Sequence, residues 1–125
     1  REEKIPTAAM SGEQLLAAQS LVRRIPVGQD VVEGILKLVR AGRPETTQLD
    51  AVRRHVAWGP GQRASQALML ASRARALLDG RYAPSVDDVI ALAGPVLRHR
   101  MALNFAARAE GAALESIVHD LCAQL

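Results

Sequence analysis

The protein has 125 residues, a formal net charge of +3 and a hydrophobic fraction of 49%, which suit one folded domain with its own core. Charged residues make up 23% of the chain, a balance that excludes intrinsic disorder. Aromatic residues make up only 2%, which disfavours a β-sandwich and a stacking platform for single-stranded nucleic acid. Ala, Leu and Val carry the apolar content, and this composition favours helices.

The cysteine count and the amino terminus indicate the setting of the chain. Cys122 is the single cysteine, so no internal disulfide can form and a reducing cytoplasm is expected. No apolar run approaches the roughly 18–20 residues that span a bilayer. Because the sequence begins with Arg1 rather than Met, we expect a piece of a longer protein, although a processed terminus would begin in the same way.

The basic excess lies in the middle of the sequence. Residues 1–50 carry seven Lys or Arg and seven acids, residues 51–108 carry nine Arg and three Asp, and residues 109–125 carry three acids alone. The chain has fourteen Arg and two Lys. This ratio fits either a GC-rich genome or a middle segment that meets phosphate or an acidic partner.

The first half of the sequence predicts two helices. Ser11 can cap the first, which runs to about Arg23–Arg24 and ends before Pro26. Leu15, Leu16, Ala18, Leu21 and Val22 form its apolar stripe. The second helix is predicted from Val27 to Ala41 and stops at Gly42-Arg43-Pro44, with Gly42 in the left-handed position that follows many helices.

The middle of the sequence predicts a short extended piece and then a long helix. Val52, His55-Val56 and Trp58 could form the extended piece, before the turn Gly59-Pro60-Gly61. The third helix runs from about Gln62 to Leu78 and closes at Asp79-Gly80. A helical wheel places its apolar face on seven residues and its polar face on Ser65, Ser72 and Asp79, with Met69 and Ala76 beside them. The apolar seven are Ala64, Ala67, Leu70, Ala71, Ala74, Leu77 and Leu78.

The last third predicts two more helices. Ser85-Val86-Asp87-Asp88 is similar to a capping box, and the fourth helix that it opens runs to Gly94. Pro95 favours a fresh helical start at Val96-Leu97. A loop around Asn104 precedes a last helix from about Leu114 to Leu121. The predicted fold is all-α, a small bundle of about five helices with the short extended piece before the turn.

Arg63 is the most informative single residue. It lies in the first turn of the long helix, at the positive end of the helix dipole, where a cation is unfavourable by a few tenths to ~1 kcal/mol. The wheel also places it inside the apolar sector, so it needs a partner. The adjacent backbone N–H groups attract anions, which makes a phosphate one candidate. An Asp or Glu of the same fold, or solvent, is the other.

Four blocks of the sequence resemble the MoxR family of AAA+ ATPases in order and spacing. Gly59-Pro60-Gly61-Gln62-Arg63-Ala64-Ser65 is similar to the family's sensor-2 segment, Gly-x-x-x-Arg-Ala-Ser. The other three blocks resemble the family's helix end, helix start and Pro-Val-Leu-Arg-His-Arg stretch: they are residues 76–81, 85–89 and 95–100. With Ile25-Pro26-Val27, the matches extend from about Ser11 to Asn104.

The resemblance implies a C-terminal helical lid domain rather than a whole ATPase. It implies a division into a lead-in from the ATPase core over residues 1–10 and the lid over residues 11–125. In this family the sensor-2 Arg contacts the terminal phosphates of the nucleotide, which gives Arg63 that role, supported by Gly59, Gly61 and Gln62. In the related helix-2-insert branch the Arg often serves a neighbouring subunit, so cis and trans contacts both stay open.

The resemblance also implies partners and a parent activity. A parent ATPase would bind ATP and Mg²⁺, form a hexameric ring and act as a chaperone on a client protein. This chain has no Gly-x-x-x-x-Gly-Lys-Ser/Thr loop and no strand ending in paired acids, so we expect no cofactor binding and no hydrolysis by the chain alone. The loop after residue 44 and the tail after Phe105 match the family less well.

Several other residues are candidates of lower specificity. Arg98, His99 and Arg100 form a basic cluster that we assign to a domain or subunit contact or to packing, not to catalysis. His55, His99 and His119 lack the spacing of metal ligands, so no metal site is predicted. Asp87-Asp88 serve the helix start, Cys122 is a core or surface thiol, and Trp58 is expected to anchor the core.

Two functions therefore remain. The first is a lid that supplies Arg63 to ATP held by a missing core or a neighbouring subunit. The second is a basic helical module that binds nucleic acid or an acidic protein. A DNA reader needs a recognition helix rich in Arg, Asn and Gln, whereas the third helix is mostly Ala and Leu, so nucleic acid is disfavoured.

Overall fold

The computed structural model describes residues 4–125, and within them the chain forms seven helices and one two-stranded sheet. This confirms the predicted all-α class and the small helical bundle; two short helices of six residues each raise the number above the expected five. The elements are α1 Gly12–Arg24, α2 Gln29–Ala41, α3 Asp50–His55, β1 Val56–Trp58, α4 Gln62–Leu78, α5 Val86–Leu97, β2 Ala102–Leu103, α6 Phe105–Glu110 and α7 Leu114–Cys122.

The first helix begins and ends where the sequence predicts. Ser11 Oγ accepts a hydrogen bond from the Gln14 amide at 3.1 Å, and Gln14 Oε1 accepts one from the Ser11 amide at 2.8 Å. Yet α1 buries no residue fully, and the apolar stripe predicted on it is largely exposed. Of the predicted lead-in, residues 1–3 lie outside the described residues, and residues 4–10 form neither helix nor strand.

The second helix begins two residues later than predicted. Gly28 is the residue before its first turn, so Val27 lies outside it. The buried side chains of α2 follow the predicted helical spacing: they are Val31, Ile35, Leu38, Val39 and Ala41.

The predicted extended piece is correct only in its second half. Residues from Asp50 to His55 are helical, and Val56–Trp58 alone is a strand. That strand pairs with β2 in antiparallel register, with Val56 opposite Leu103 and an irregularity before Trp58 opposite Ala102. The six-residue helix is too short to show a helical period, which explains the error.

The buried face of α4 differs from the predicted one. Its fully buried residues are Ala64, Leu68, Ser72 and Ala76, one every fourth residue. The helical wheel had placed Ser72 on the polar face, whereas Leu78, on the predicted apolar face, is 90% exposed. Since α4 packs against α5, α2 and α1, small side chains at the contact let the helix axes come close. Polarity was therefore a poor guide to burial here.

The end of α4 and the course of α5 are set by local chemistry. Gly80 has a φ of +75°, which glycine adopts without strain, and the Arg81 amide donates to the Ala76 carbonyl at 2.8 Å. The predicted stop at Asp79-Gly80 is thus confirmed. The predicted break at Pro95 is wrong, because α5 continues through it to Leu97. Pro95 has no N–H, so the carbonyl of Ala91 lacks its usual helical donor. Because Ala91 is exposed, water can donate a hydrogen bond to this carbonyl instead.

The carboxyl-terminal part contains one predicted and one unpredicted helix. Asn104, expected in a loop, caps α6 by accepting a hydrogen bond from the Ala107 amide at 2.9 Å. The last helix, α7, is confirmed from Leu114. The main hydrophobic cluster draws on α2, α3, α4, α5 and α7 and includes Ile35, Leu38, Val52, Leu68, Val89, Leu97 and Leu121.

Candidate functional site

The turn before α4 is fixed by close packing on the turn after α2. A Cβ added to Gly59 would overlap the Gly42 carbonyl oxygen and lie 2.8 Å from the Arg43 Cα, so only glycine fits. Arg43 Nη1 also donates to the Pro60 carbonyl at 3.1 Å. These contacts hold the segment that leads into Arg63.

Gly42 is small for a different reason from the one predicted. Its φ is −79°, so it is not in the left-handed conformation expected after α2. A Cβ at Gly42 would lie 3.0 Å from the Pro60 ring, which packs directly on it. The two turns thus fit together through Gly42, Gly59 and Pro60.

Arg63 is the second residue of α4, and its side chain is exposed. The helical wheel had placed it in the apolar sector, and this is wrong because the buried stripe of α4 begins instead at Ala64. Within residues 4–125, Arg63 makes no ion pair or side-chain hydrogen bond. The intramolecular ion pair considered as its alternative partner is therefore not seen among the described residues.

Arg63 faces an open cleft of about 590 Å³ that three segments of the chain enclose. The three segments are the end of β1 with the turn that follows, the start of α4, and the residues after α5. The lining side chains and backbone belong to Trp58, Gly59, Gly61, Gln62, Arg63, His99 and Arg100. The cleft therefore unites Arg63 with two residues of the separately predicted basic cluster.

The third residue of that cluster points elsewhere. Arg98 lines a small cavity of about 90 Å³ with residues of α5 and α7, including Glu115. His99 and Arg100, in contrast, lie on the cleft, and Arg100 Nη1 donates to the Val96 carbonyl at 2.9 Å. The contiguous Arg98, His99 and Arg100 are thus two sites in the structure rather than one surface.

The two-stranded sheet brings the end of β1 next to the residues that follow α5, and both segments line the cleft. Trp58 is opposite Ala102, so the end of β1 lies beside the residues that follow α5. The sequence did not predict this contact, because β2 has two residues and shows no alternating pattern. Trp58 itself is 54% exposed, so the prediction that it anchors the core is wrong.

A buried carboxylate organises the opposite end of α4. Asp88 accepts hydrogen bonds from Arg75 Nη1 at 2.5 Å, from Arg81 Nη1 and Nη2 at 2.8 and 2.6 Å, and from the Ser85 amide at 2.7 Å. Hydrogen bonding from the Arg81 guanidinium is the largest cause of the lowered pKa of Asp88. The hydrogen bond to Asp88 in turn raises the pKa of Arg81. The predicted role of Asp88 at the helix start is confirmed, but its two arginines were missed because they come from other segments.

The remaining candidate residues do not form a second site. His55 Nε2 lies 2.6 Å from Glu110 Oε2 and so links α3 to α6. Cys122 is half-buried, and this burial raises the pKa of its thiol. Over residues 4–125, no three His, Cys, Asp or Glu side chains are grouped so as to hold a metal ion, and no helix is long and apolar enough to cross a membrane.

The cleft has the chemistry of an anion site. Its three ionisable lining side chains are Arg63, His99 and Arg100, so the terminal phosphates of ATP fit its charge. No carboxylate of the described residues lines it, and Mg²⁺ prefers carboxylate and water oxygens. The cleft therefore fits the phosphates of ATP and offers no ligand set for Mg²⁺.

Comparison with known proteins agrees with the architecture. Residues 48–121 match the family model of the AAA lid domain, which is more than half of the chain. The chain therefore belongs to the AAA lid domain family, the helical lid of AAA+ ATPases. It is 32% identical over 111 residues to the chaperone MoxR1 of Mycobacterium tuberculosis, a match that covers 88% of this chain and 29% of MoxR1.

A solved structure has the same fold. The crystal structure of a candidate ATPase from Cytophaga hutchinsonii matches 90% of this chain with a TM-score of 0.85, at 24% sequence identity and over 34% of its own length. The chain thus spans about a third or less of these proteins. Together with the family match, these likenesses confirm the resemblance to a lid of the MoxR type.

Proposed function

We propose that this lid supplies Arg63 to the terminal phosphates of ATP bound by an AAA+ core domain, in the same or a neighbouring subunit. One observation carries the proposal: Arg63 is exposed on an open cleft, and within residues 4–125 its side chain makes no ion pair or hydrogen bond. ATP would bring several negative oxygens, and a guanidinium can donate to two of them at once. Gln62, Gly59 and Gly61 shape the turn from which Arg63 extends.

The attachment of Arg63 suits a sensor of nucleotide state. The turn before Arg63 packs closely against the turn after α2. The helix that follows, α4, is 17 residues long and packs against α1, α2 and α5. A force on the guanidinium therefore acts on the whole lid rather than on a loose loop. Loss of the terminal phosphate would release the lid as one body.

Three leucines of α1 are exposed: Leu15, Leu16 and Leu21, with Leu16 67% accessible. At about 100° per residue they lie at different angles around the helix axis, so they form no single apolar face. Under the proposal, the AAA+ core domain lies beside the lid, and the parent protein forms a hexameric ring that hydrolyses ATP and acts as a chaperone on a client protein.

Other parts of the assignment stay predictions. They include the lead-in over residues 1–10, the lid over 11–125, the domain or subunit contact of Arg98, and the cytoplasmic location. The nucleic-acid alternative draws no support from α4, because Arg75, one of its three arginines, is paired with Asp88 and a second, Arg73, donates to the Arg23 carbonyl at 3.5 Å.

The test is Arg63→Ala in the full ATPase that carries this lid. We expect ATP turnover to fall by about tenfold or more, because a charge-assisted contact to phosphate is lost. Exposed Arg108 on α6, which does not line the cleft, gives the matched control Arg108→Ala. Thermal unfolding of both variants should equal that of the wild type. Turnover that is the same in both variants would overturn the proposal.

A further inference from the structure

The cleft that Arg63 lines holds two further basic side chains, and both come from the residues that follow α5. His99 is exposed, and Arg100 is half-buried. We propose that His99 and Arg100 bind the phosphate end of ATP together with Arg63, so that two segments of the lid contact this end. This inference rests on the proposed function, because it names the second half of the same site.

The charge balance of the cleft supports a bound anion. No Asp or Glu among the described residues lines the cleft, so no carboxylate there compensates the charges of Arg63 and Arg100. Some arginines elsewhere in the described part of the chain meet acids: Arg54 lies 3.0 Å from Asp50, and Arg81 is bonded to Asp88. The cleft is thus a place where the fold gathers positive charge and leaves it to be neutralised from outside.

The guanidinium of Arg100 is held in place rather than free. Nη1 of Arg100 donates to the Val96 carbonyl near the end of α5. The backbone amide of Arg100 donates to the Leu97 carbonyl at 2.9 Å, which fixes the main chain from which the side chain extends. A guanidinium has five N–H donors, so the bond to Val96 leaves donors for a ligand. Orientation before binding lowers the entropy that a ligand contact loses.

The division of the basic cluster offers a sharp control. Arg98 lies next to His99 in the chain but lines the cavity beside Glu115 and α7. A nonspecific attraction of anions to the basic segment would depend on both residues. A site in the cleft depends on His99 and not on Arg98.

The experiment titrates inorganic tripolyphosphate into the 125-residue chain at low ionic strength. Trp58, the single tryptophan of the sequence, lines the cleft, so its fluorescence reports binding there. We expect saturable quenching in the millimolar range, weakened about three- to fivefold by His99→Ala and unchanged by Arg98→Ala. Added salt should weaken the binding, since the contacts are exposed charge pairs.

Equal effects of His99→Ala and Arg98→Ala, or no response of Trp58 up to tens of millimolar tripolyphosphate, would overturn the inference. An Arg63→Ala variant separates this outcome from failure of the proposed function. If Arg63→Ala weakens binding and His99→Ala does not, the shared binding by His99 and Arg100 is wrong and the role of Arg63 stands. If His99→Ala weakens binding while Arg63→Ala changes neither binding nor ATP turnover, the proposed function fails and the anion site stands.

Discussion

The carboxylate of Asp88 accepts two hydrogen bonds from the guanidinium of Arg81, at 2.8 and 2.6 Å, with no part of the Asp88 side chain exposed to solvent. Arg75 from α4 adds a third charged contact. The carboxylate therefore joins the start of α5 to both α4 and the loop that follows it. Its partners are partly exposed, which keeps the desolvation of the pair moderate.

Replacing Asp88 with Asn should lower the free energy of unfolding by about 3 kcal/mol, because it leaves two guanidinium groups beside a neutral side chain. The neighbouring Asp87 is exposed and provides the matched variant Asp87→Asn. Urea unfolding of the two proteins measures the difference. If both substitutions change stability equally, the buried network does not hold the two helices together.

The same carboxylate predicts a dependence of stability on pH. Its folded pKa lies below the ordinary value of 3.8, so the unfolded chain binds a proton more readily. The stability from Asp88 is then complete above about pH 5 and is lost as the pH falls below about 4 toward the lowered pKa. We expect the gap between wild type and Asp88→Asn to be constant from pH 7 to 5 and to close at lower pH. A gap that widens on acidification would contradict this.

Gly59→Ala should destabilise the domain by about 1–3 kcal/mol, because the added methyl meets the backbone of Gly42 and Arg43, which cannot move aside cheaply. Gly61→Ala is the control, since its methyl would meet only the end of the Arg43 side chain at 3.6 Å. Thermal denaturation should show a clearly lower midpoint temperature for Gly59→Ala. Gly61→Ala should lower the free energy of unfolding by less than about 1 kcal/mol and therefore change the midpoint less. Similar midpoints would mean that the two turns are not tightly apposed.

The buried stripe of α4 can be tested with two leucines of the same helix. Leu68 is fully buried and Leu78 is 90% exposed, although the helical wheel had favoured Leu78. Truncation to Ala should lower the free energy of unfolding by about 2–5 kcal/mol at Leu68 and by less than about 0.5 kcal/mol at Leu78. Denaturant unfolding distinguishes this stripe from the predicted one, for which the order would be reversed.

Local signals predicted the helix ends better than the helix faces. Ser11 and Gly80 act through atoms within a few residues, so their caps follow from the sequence. The burial of Ser72 depends instead on which helices lie beside α4, and no local pattern encodes that. Likewise, Pro95 stops a helix by its own chemistry, but α5 continues because the packing of Val96 and Leu97 compensates for one lost hydrogen bond.

For the candidate site, motif similarity singled out Arg63 and the basic cluster, while their relation stayed hidden. They are more than 30 residues apart, and the two-residue strand β2 that brings them together is too short to predict. The exposure of Trp58 was missed for the same reason, because Trp58 lines a cleft that exists only when three segments meet.

The sequence by itself determined the helical class, most helix ends, the relation to the MoxR type of lid and the identity of the basic residues, because each rests on nearest neighbours or on motifs. Only the tertiary structure decided which face of α4 is buried. It also decided that Arg98 and His99, although adjacent in the chain, line two different cavities. It decided further that Arg63, His99 and Arg100 share one cleft that no carboxylate of residues 4–125 lines. The physical reason is that burial and charge pairing depend on atoms distant in the chain, and these meet only when the helices pack.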